Sequence, residues 1–185
     1  MSLIKSVLKK ILRWFLKIIG GENFSNPRFS PFTLFKFLVV QKVFRINHHV
    51  PWPVHWTSQV KKPKKIQKGT RNPGMALCCY LDGRNGIIIG ENTWIGPRVS
   101  IISQNHNINN YHKYEKISPI KIGNNCWLAT NSTILAGVEL GNHVIVAAGA
   151  VVTKSFKQDN ILLGGVPAKI IKKLGNYEGD GNENN

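Results

Sequence analysis

Among six histidines, His106 has the setting best suited to moving a proton. It opens a polar and charged stretch, HNINNYHKYEKIS, that follows a run of apolar residues. Neutral imidazole, with a reference pKa of ~6.5, can take a proton from a hydroxyl near neutral pH and hand it to a leaving group. A lone histidine beside a loop is otherwise a surface or capping residue. Ser103 and Asn105 next to it could orient the ring or fill turn positions. Ahead of it, Tyr80, Asp82, Arg84 and Asn85 offer groups that could hold hydroxyls. They could equally be turn residues, because Asp82-Gly83 and Asn85-Gly86 are ordinary turn pairs. Cys126 reads as a small core residue.

The elements that must position His106 show in a six-residue step. From Ile122 the step lands on Leu128, Ile134, Leu140, Val146 and Val152. Four places after each leader stand Cys126, Ser132, Val138, Val144, Ala150 and Phe156, small or apolar except the last. An earlier block keeps the step at Ile89, Ile95 and Ile101, with Thr93, Val99 and Asn105 at the fourth place. Neither a helical period nor simple alternation yields a strict six. A chain that turns a corner after each short strand does, with the leader pointing inward each time and glycine where the backbone bends. The expected architecture is an all-β core, a parallel β-helix whose coils stack into one continuous interior. The step fails between Ile101 and Ile122, so the intervening polar residues read as a loop expelled from the coil. Loops on rigid scaffolds often carry function.

Four stretches, NGIIIGENTWIGPRVSIISQNH, PIKIGNNCWLATNSTILAGVELG, VIVAAGAVVTKSF and GGVPAKIIKKL, resemble the hexapeptide-repeat acyltransferases of the left-handed β-helix fold. The branch most similar contains maltose, galactoside, nodulation-factor and bacterial polysaccharide O-acetyltransferases, and the resemblance spans about residues 60–174. It implies left-handed crossovers, a homotrimer with active sites between subunits, and acetyl-CoA as acyl donor without a covalent enzyme intermediate. By the same resemblance His106 is the general base, with Asn105 beside it. Trp127 matches a pocket tryptophan, although a plain packing aromatic remains an equal reading. Ala129, Thr130, Ala147 and Ala148 match positions where small residues let the CoA arm approach the backbone. Thr153, Lys154, Lys169 and Lys172 would meet its nucleotide and phosphates. Relatives often have arginine where Lys169 and Lys172 stand, and lysine lacks the bidentate fork, so a solvated charge stripe stays open there. A zinc carbonic anhydrase family shares the fold, but its three-histidine site needs a close pair. His112 and His143 do not form one, so no metal is expected.

The implied function is O-acetyl transfer to a sugar hydroxyl, in a bacterial surface polysaccharide or its lipid-linked precursor. A clear match to the acceptor residues of galactoside enzymes is lacking, which counts against a free small sugar. Two other readings stay open: a xenobiotic acetyltransferase acting on chloramphenicol or a streptogramin, and a non-catalytic scaffold.

The formal charge of +16 is concentrated at the front, with fourteen Lys/Arg against the single acid Glu22 up to Thr70. Residues 3–19 predict an amphipathic helix with Lys5, Lys9, Arg13 and Lys17 on one stripe and Ile4, Val7, Leu8, Ile11, Phe15 and Ile18 opposite. Those charges argue against a signal peptide or a spanning helix. Residues 32–46 predict a second helix, and Val50-Pro51-Trp52-Pro53-Val54 an extended connector. The division expected is a basic helical extension (1–50), a β-helix domain (51–174) and a disordered acidic tail (175–185). The extension could pack on the β-helix or between trimer partners, capping an exposed coil end, or contact an anionic membrane surface through residues 3–19. No nucleic-acid motif accompanies the charge, so that partner is not expected. Three cysteines give no even disulfide framework, consistent with a cytoplasmic setting, with the inner face of the cell membrane as an alternative.

Overall fold

The computed structural model describes residues 2–179, with side chains from residue 4 onward. The two expected helices form as α1 (Ser2–Gly20) and α2 (Pro31–Lys42). Glycine ends the first, Gly21 taking φ +80°, and Pro31 opens the second at a position where its missing N–H costs nothing. The second is shorter than its apolar run predicts, because Arg45 and Asn47 take left-handed φ values that turn the chain away.

From Gln59 the chain winds through three flat faces. The first holds Gln59–Lys61, Tyr80–Asp82, Ser100–Ile102, Thr133–Ile134 and Val151–Val152. The second holds Ile66–Gln67, Ile87–Ile89, Ile120–Ile122 and Glu139–Leu140. The third holds Trp94–Ile95, Trp127–Leu128, Val144–Val146 and Ile161–Gly164, closed by the antiparallel strand Lys169–Lys173. All other pairings within the faces are parallel, as a solenoid requires. The six-residue leaders fill the interior: Ile122, Leu128, Ile134, Leu140, Val146 and Val152 are all buried in one cluster. Each contributes about 1.5–3 kcal/mol of apolar burial. Ile95 and Phe156 only pack partly against that cluster, and Asn105 is exposed because the coil has already opened there.

The corner between the second and third faces is laced by side-chain acceptors. Thr70 N donates to Glu91 Oε2 at 2.8 Å, Glu91 N to Asn124 Oδ1 at 2.7 Å, Asn124 N to Asn142 Oδ1 at 2.8 Å, and Asn142 N to Asp159 Oδ1 at 2.6 Å. Each coil thus satisfies an amide of the coil before it. The glycine preceding these residues is needed because backbones touch: a Cβ on Gly123 would meet the Gly141 carbonyl. Gly123→Ala should therefore destabilise by about 1–3 kcal/mol. Urea denaturation checks this, and an unchanged midpoint would show that the coils can separate without cost.

The helical extension is joined to the first coil by α2. Buried Gln41 donates through Nε2 to the carbonyls of Asn47, Val50 and Trp52, while its Oε1 accepts from Val54 N at 2.9 Å. Trp52 Nε1 donates to Pro73 O at 2.9 Å. Leu16, Phe24, Leu34, Phe37 and Leu38 form a small core of their own, against which Met75 of the solenoid packs. The extended connector is therefore an interior element, and α2 caps the open end of the coil. The C-terminal segment runs back along the solenoid, where Tyr177 accepts from Asn92 Nδ2 at 2.8 Å, and residues 180–185 of the acidic tail lie outside the described residues.

Candidate active site

After Ile102 the chain leaves the corner between the first and second faces and forms an antiparallel hairpin, His106–Asn107 against Asn110–Tyr114. The turn is built by Asn107, whose Oδ1 accepts from the amides of Asn109 and Asn110 at 3.0 Å each. Its Nδ2 donates to Glu115 Oε1 at 2.6 Å. The hairpin's two legs are clamped by Asn85, whose Nδ2 donates to the carbonyls of Ser103 and Glu115, both at 3.0 Å. Asn85 N also donates to Ser103 Oγ at 2.9 Å, and Glu115 N donates to Asn105 O at 3.0 Å.

This scaffold fixes the His106 ring. Its Nδ1 lies 2.5 Å from the Tyr111 carbonyl oxygen. A carbonyl only accepts, so Nδ1 carries a proton, and in the neutral tautomer the lone pair is left on Nε2. Tyr114 lies against the ring with centroids 4.7 Å apart. Above Tyr114, 5.2 Å from its centroid, stands the Arg84 guanidinium. Arg84 in turn forks onto the fully buried Asp82, Nε to Oδ1 at 2.9 Å and Nη2 to Oδ2 at 2.6 Å. Burial alone would push the Asp82 carboxyl up, but the bonds and charge of Arg84 outweigh it and hold the group below the usual carboxylate range.

The structure therefore brings His106, Asn105, Asp82, Arg84 and Asn85 to one corner. Asp82, Arg84 and Asn85 all support the hairpin from beneath, which gives these acceptor candidates a structural task. Tyr80 lies on the first face with Lys61 Nζ 5.2 Å from its ring.

Trp127 is elsewhere. It projects from the third face, flanked in register by Trp94 and Ile145. With Asn125, Cys126, His143 and Tyr177 they line a groove of about 380 Å³. Arg71 covers the other side of Trp94, its Cζ 3.1 Å from the ring centroid. In a three-faced prism the third face lies across from the corner that carries His106. One chain does not bring Trp127 and His106 together.

The cofactor candidates divide in the same way. Ala129-Thr130 and Ala147-Ala148 stack at the corner between the third and first faces, where Gly149 N donates to Thr130 O at 3.0 Å. Thr153 and Lys154 are exposed beyond the strand Val151–Val152, on the corner that carries His106 but two coils further along. Lys169 and Lys172 are exposed on the closing strand. Sequence reasoning missed Tyr111, Tyr114, Trp94 and Tyr177, and weighed His143 only as a metal ligand. The Asn-rich segment Asn107–Asn110 was a usable hairpin signal, and Trp94 precedes the leader Ile95 as Trp127 precedes Leu128, but the two tyrosines of the hairpin and Tyr177 carry no periodic mark.

The two buried thiols are held in their protonated form. Burial pushes Cys126 up to about 11 and raises Cys79 as well, so neither is a ready nucleophile. Among the described residues there is no group of three or more His, Cys, Asp or Glu that could hold a metal ion.

Residues 119–154 match the family described as bacterial transferase hexapeptide (six repeats). Over 134 residues the chain is 33% identical to a Staphylococcus aureus (strain Mu50 / ATCC 700699) protein provisionally named an acetyltransferase, covering 71% of this chain and 63% of that one. The chain thus spans less than two thirds of that relative's length. It is 32% identical over 93 residues to galactoside O-acetyltransferase of Escherichia coli (strain K12), covering 48% and 44% of the two chains. A hexapeptide-repeat acetyltransferase of Vibrio cholerae O1 biovar eltor, solved with acetyl-CoA, superposes with a TM-score of 0.55 at 24% identity, over 92% of this chain and 89% of that one. That likeness carries the fold, and the repeat match together with the identities carries the relationship. Residues 119–154 belong to the hexapeptide-repeat transferase family, and the wider chain is similar to its acetyltransferases in sequence and in fold.

Proposed function

We propose that this protein is an O-acetyltransferase that moves acetyl from acetyl-CoA to a sugar hydroxyl, in a bacterial surface polysaccharide or its lipid-linked precursor, in the cytoplasm. The observation that carries the reading is the pinned imidazole. With Nδ1 committed to Tyr111 O, His106 Nε2 is the acceptor left for the hydroxyl proton. As Nε2 takes that proton, the sugar oxygen bonds to the thioester carbonyl carbon. Collapse of the oxyanion breaks the carbon–sulfur bond, and Nε2–H returns the proton to the departing thiolate. Transfer is direct, and the high Cys126 and Cys79 pKa values agree with a route that needs no thiol.

The donor would lie along the small-residue ridge of Ala129, Thr130, Ala147 and Ala148. Lys154, Lys169 and Lys172, with Thr153, are the groups suited to its phosphate end. The opposite placement of Trp127 and His106 supports a homotrimer in which one subunit supplies the histidine and its neighbour the tryptophan and ridge.

Release of free CoA thiol in the presence of candidate glycans tests the activity. Absence of release with every glycan class would overturn the sugar acceptor. The intersubunit arrangement has its own test. His106→Ala and Trp127→Ala chains, each impaired alone, should regain roughly a quarter of wild-type sites when unfolded and reassembled at equal amounts, as a head-to-tail cyclic trimer requires. Recovery no greater than the sum of the two variants would place both residues in sites of a single chain.

A further inference from the structure

Helix α1 presents to solvent the face that an amphipathic helix normally buries. Ile4, Val7, Leu8, Ile11, Phe15 and Ile18, joined by Trp14 and Ile19, are between 38% and 75% exposed. What α1 turns toward the protein is a different set: Leu16 fully buried, Leu12 partly so, and Arg13. Arg13 Nη1 donates to the carbonyls of Ser25 and Asn26 at 2.9 Å, and Nη2 to that of Phe29 at 3.3 Å. These bonds fix the rotation of α1 about its axis, so the apolar row faces outward by construction. Phe35 of α2 continues it, its ring 6.4 Å from that of Phe15.

The charges around this row are of one sign. At 100° per residue, Lys5 and Lys10 stand roughly 110° to either side of the row's centre. Lys9 and Lys17 lie behind them, and α1 contains no acid. Such a helix, about 28 Å long, has the composition of one that lies in a bilayer interface. No helix among the described residues is long and apolar enough to cross a membrane.

We propose that α1 docks this protein on an anionic lipid bilayer, with the row Ile4–Ile18 among the acyl chains and Lys5 and Lys10 at the headgroup phosphates. A second copy of this chain is a poorer occupant. Its α1 would bring like charges together, and most of the described acids elsewhere are engaged: Asp82 by Arg84, Glu139 by Lys121 and Lys157, Glu115 by Asn107, Glu91 by the Thr70 amide and Asp159 by the Asn142 amide. A nucleic acid would meet the lysines and leave the apolar row in water. The docking surface is independent of the catalytic reading. It would set the capped end of the solenoid against the membrane, where a lipid-linked acceptor resides.

Flotation of the full chain with phosphatidylcholine vesicles, with and without phosphatidylglycerol, tests the proposal. The protein should float only with the anionic vesicles. Ile11→Glu should lower the bound fraction at least about tenfold with an unchanged melting temperature. Replacing Lys5, Lys9 and Lys10 by glutamine should weaken binding at low salt, and the difference from wild type should vanish at high salt. Failure of the wild type to float, or equal flotation of Ile11→Glu, overturns it. So does a smaller particle mass of Ile11→Glu in light scattering, since that would assign the face to a second copy.

Discussion

Replacing His106 with alanine is expected to lower kcat for CoA release by about 10²–10⁴-fold, the range of a single general base. The melting temperature should hardly move. His106 is exposed, its ring supports no core residue, and the Tyr111 carbonyl it releases belongs to an exposed residue that water can reach. KM for acetyl-CoA should change far less than kcat, because the ring acts on the hydroxyl proton and not on the donor's binding surface. His106→Asn sharpens the result. Its amide can donate to the Tyr111 carbonyl as Nδ1 does, yet it offers no basic nitrogen, so it should stay as inactive as alanine. Recovery of activity in the asparagine variant would mean that holding the hairpin, and not proton transfer, is what His106 does. Unchanged kcat in both would remove the histidine from the chemistry.

The solenoid was legible in the sequence because one geometric event, a corner every six residues, repeats with the same chemical demand. Leu128 and Val146 had to be apolar for the same reason, and Cys126 and Ser132 small for another. Asn105 broke the fourth-place rule and thereby marked where the coil opens. What surrounds His106 was not legible, because the hairpin's contacts join residues with no shared period: Tyr111 through its backbone, Tyr114 through its ring, and Asn85 from the coil beneath. Asp82 and Arg84 looked as suited to binding hydroxyls as to packing. Only their mutual fork and the burial of the carboxylate reveal the supporting role. The pairing of Trp94 with Trp127 depends on coil register across the expelled loop, which the six-residue step does not count. For α1 the pattern was read correctly as a helix, but its rotation was undetermined. An apolar row looks the same whether it faces a core or solvent, and the bonds of Arg13 turn it outward.

Arg84→Ala should be the most destabilising of the single-charge changes near the site, by about 3 kcal/mol at neutral pH. That corresponds to a fall in Tm on the order of 6–12 °C. The cause is what it leaves behind. Asp82 is fully buried, and in the native protein the Arg84 fork and its charge overcome the burial that would otherwise raise the carboxyl. Arg84 itself is partly exposed, so the lower end of the range for broken buried pairs is appropriate. The pH dependence gives the sharper signature. In the wild type the folded-state pKa of Asp82 lies below its unfolded value. Its stabilisation is therefore present above the unfolded pKa of ~3.9 and lost as pH falls through the folded one. In Arg84→Ala the side-chain fork and its charge are gone, and burial, the largest single influence on Asp82, outweighs the backbone amide of residue 84 and the Lys61 charge that still oppose it. The folded state then binds the proton more tightly than the unfolded state, and acid favours folding. The gap between wild type and variant should be widest near pH 7 and shrink toward pH 4. An Asp82→Asn, Arg84→Ala double variant should regain part of the loss at neutral pH, since it removes the unpaired charge, and should show no such pH trend. A pH-independent deficit in Arg84→Ala would mean that the guanidinium matters through its packing over Tyr114 and not through Asp82. Either way the hairpin loosens, so kcat should fall along with stability, while Asp82 itself never touches the reacting groups.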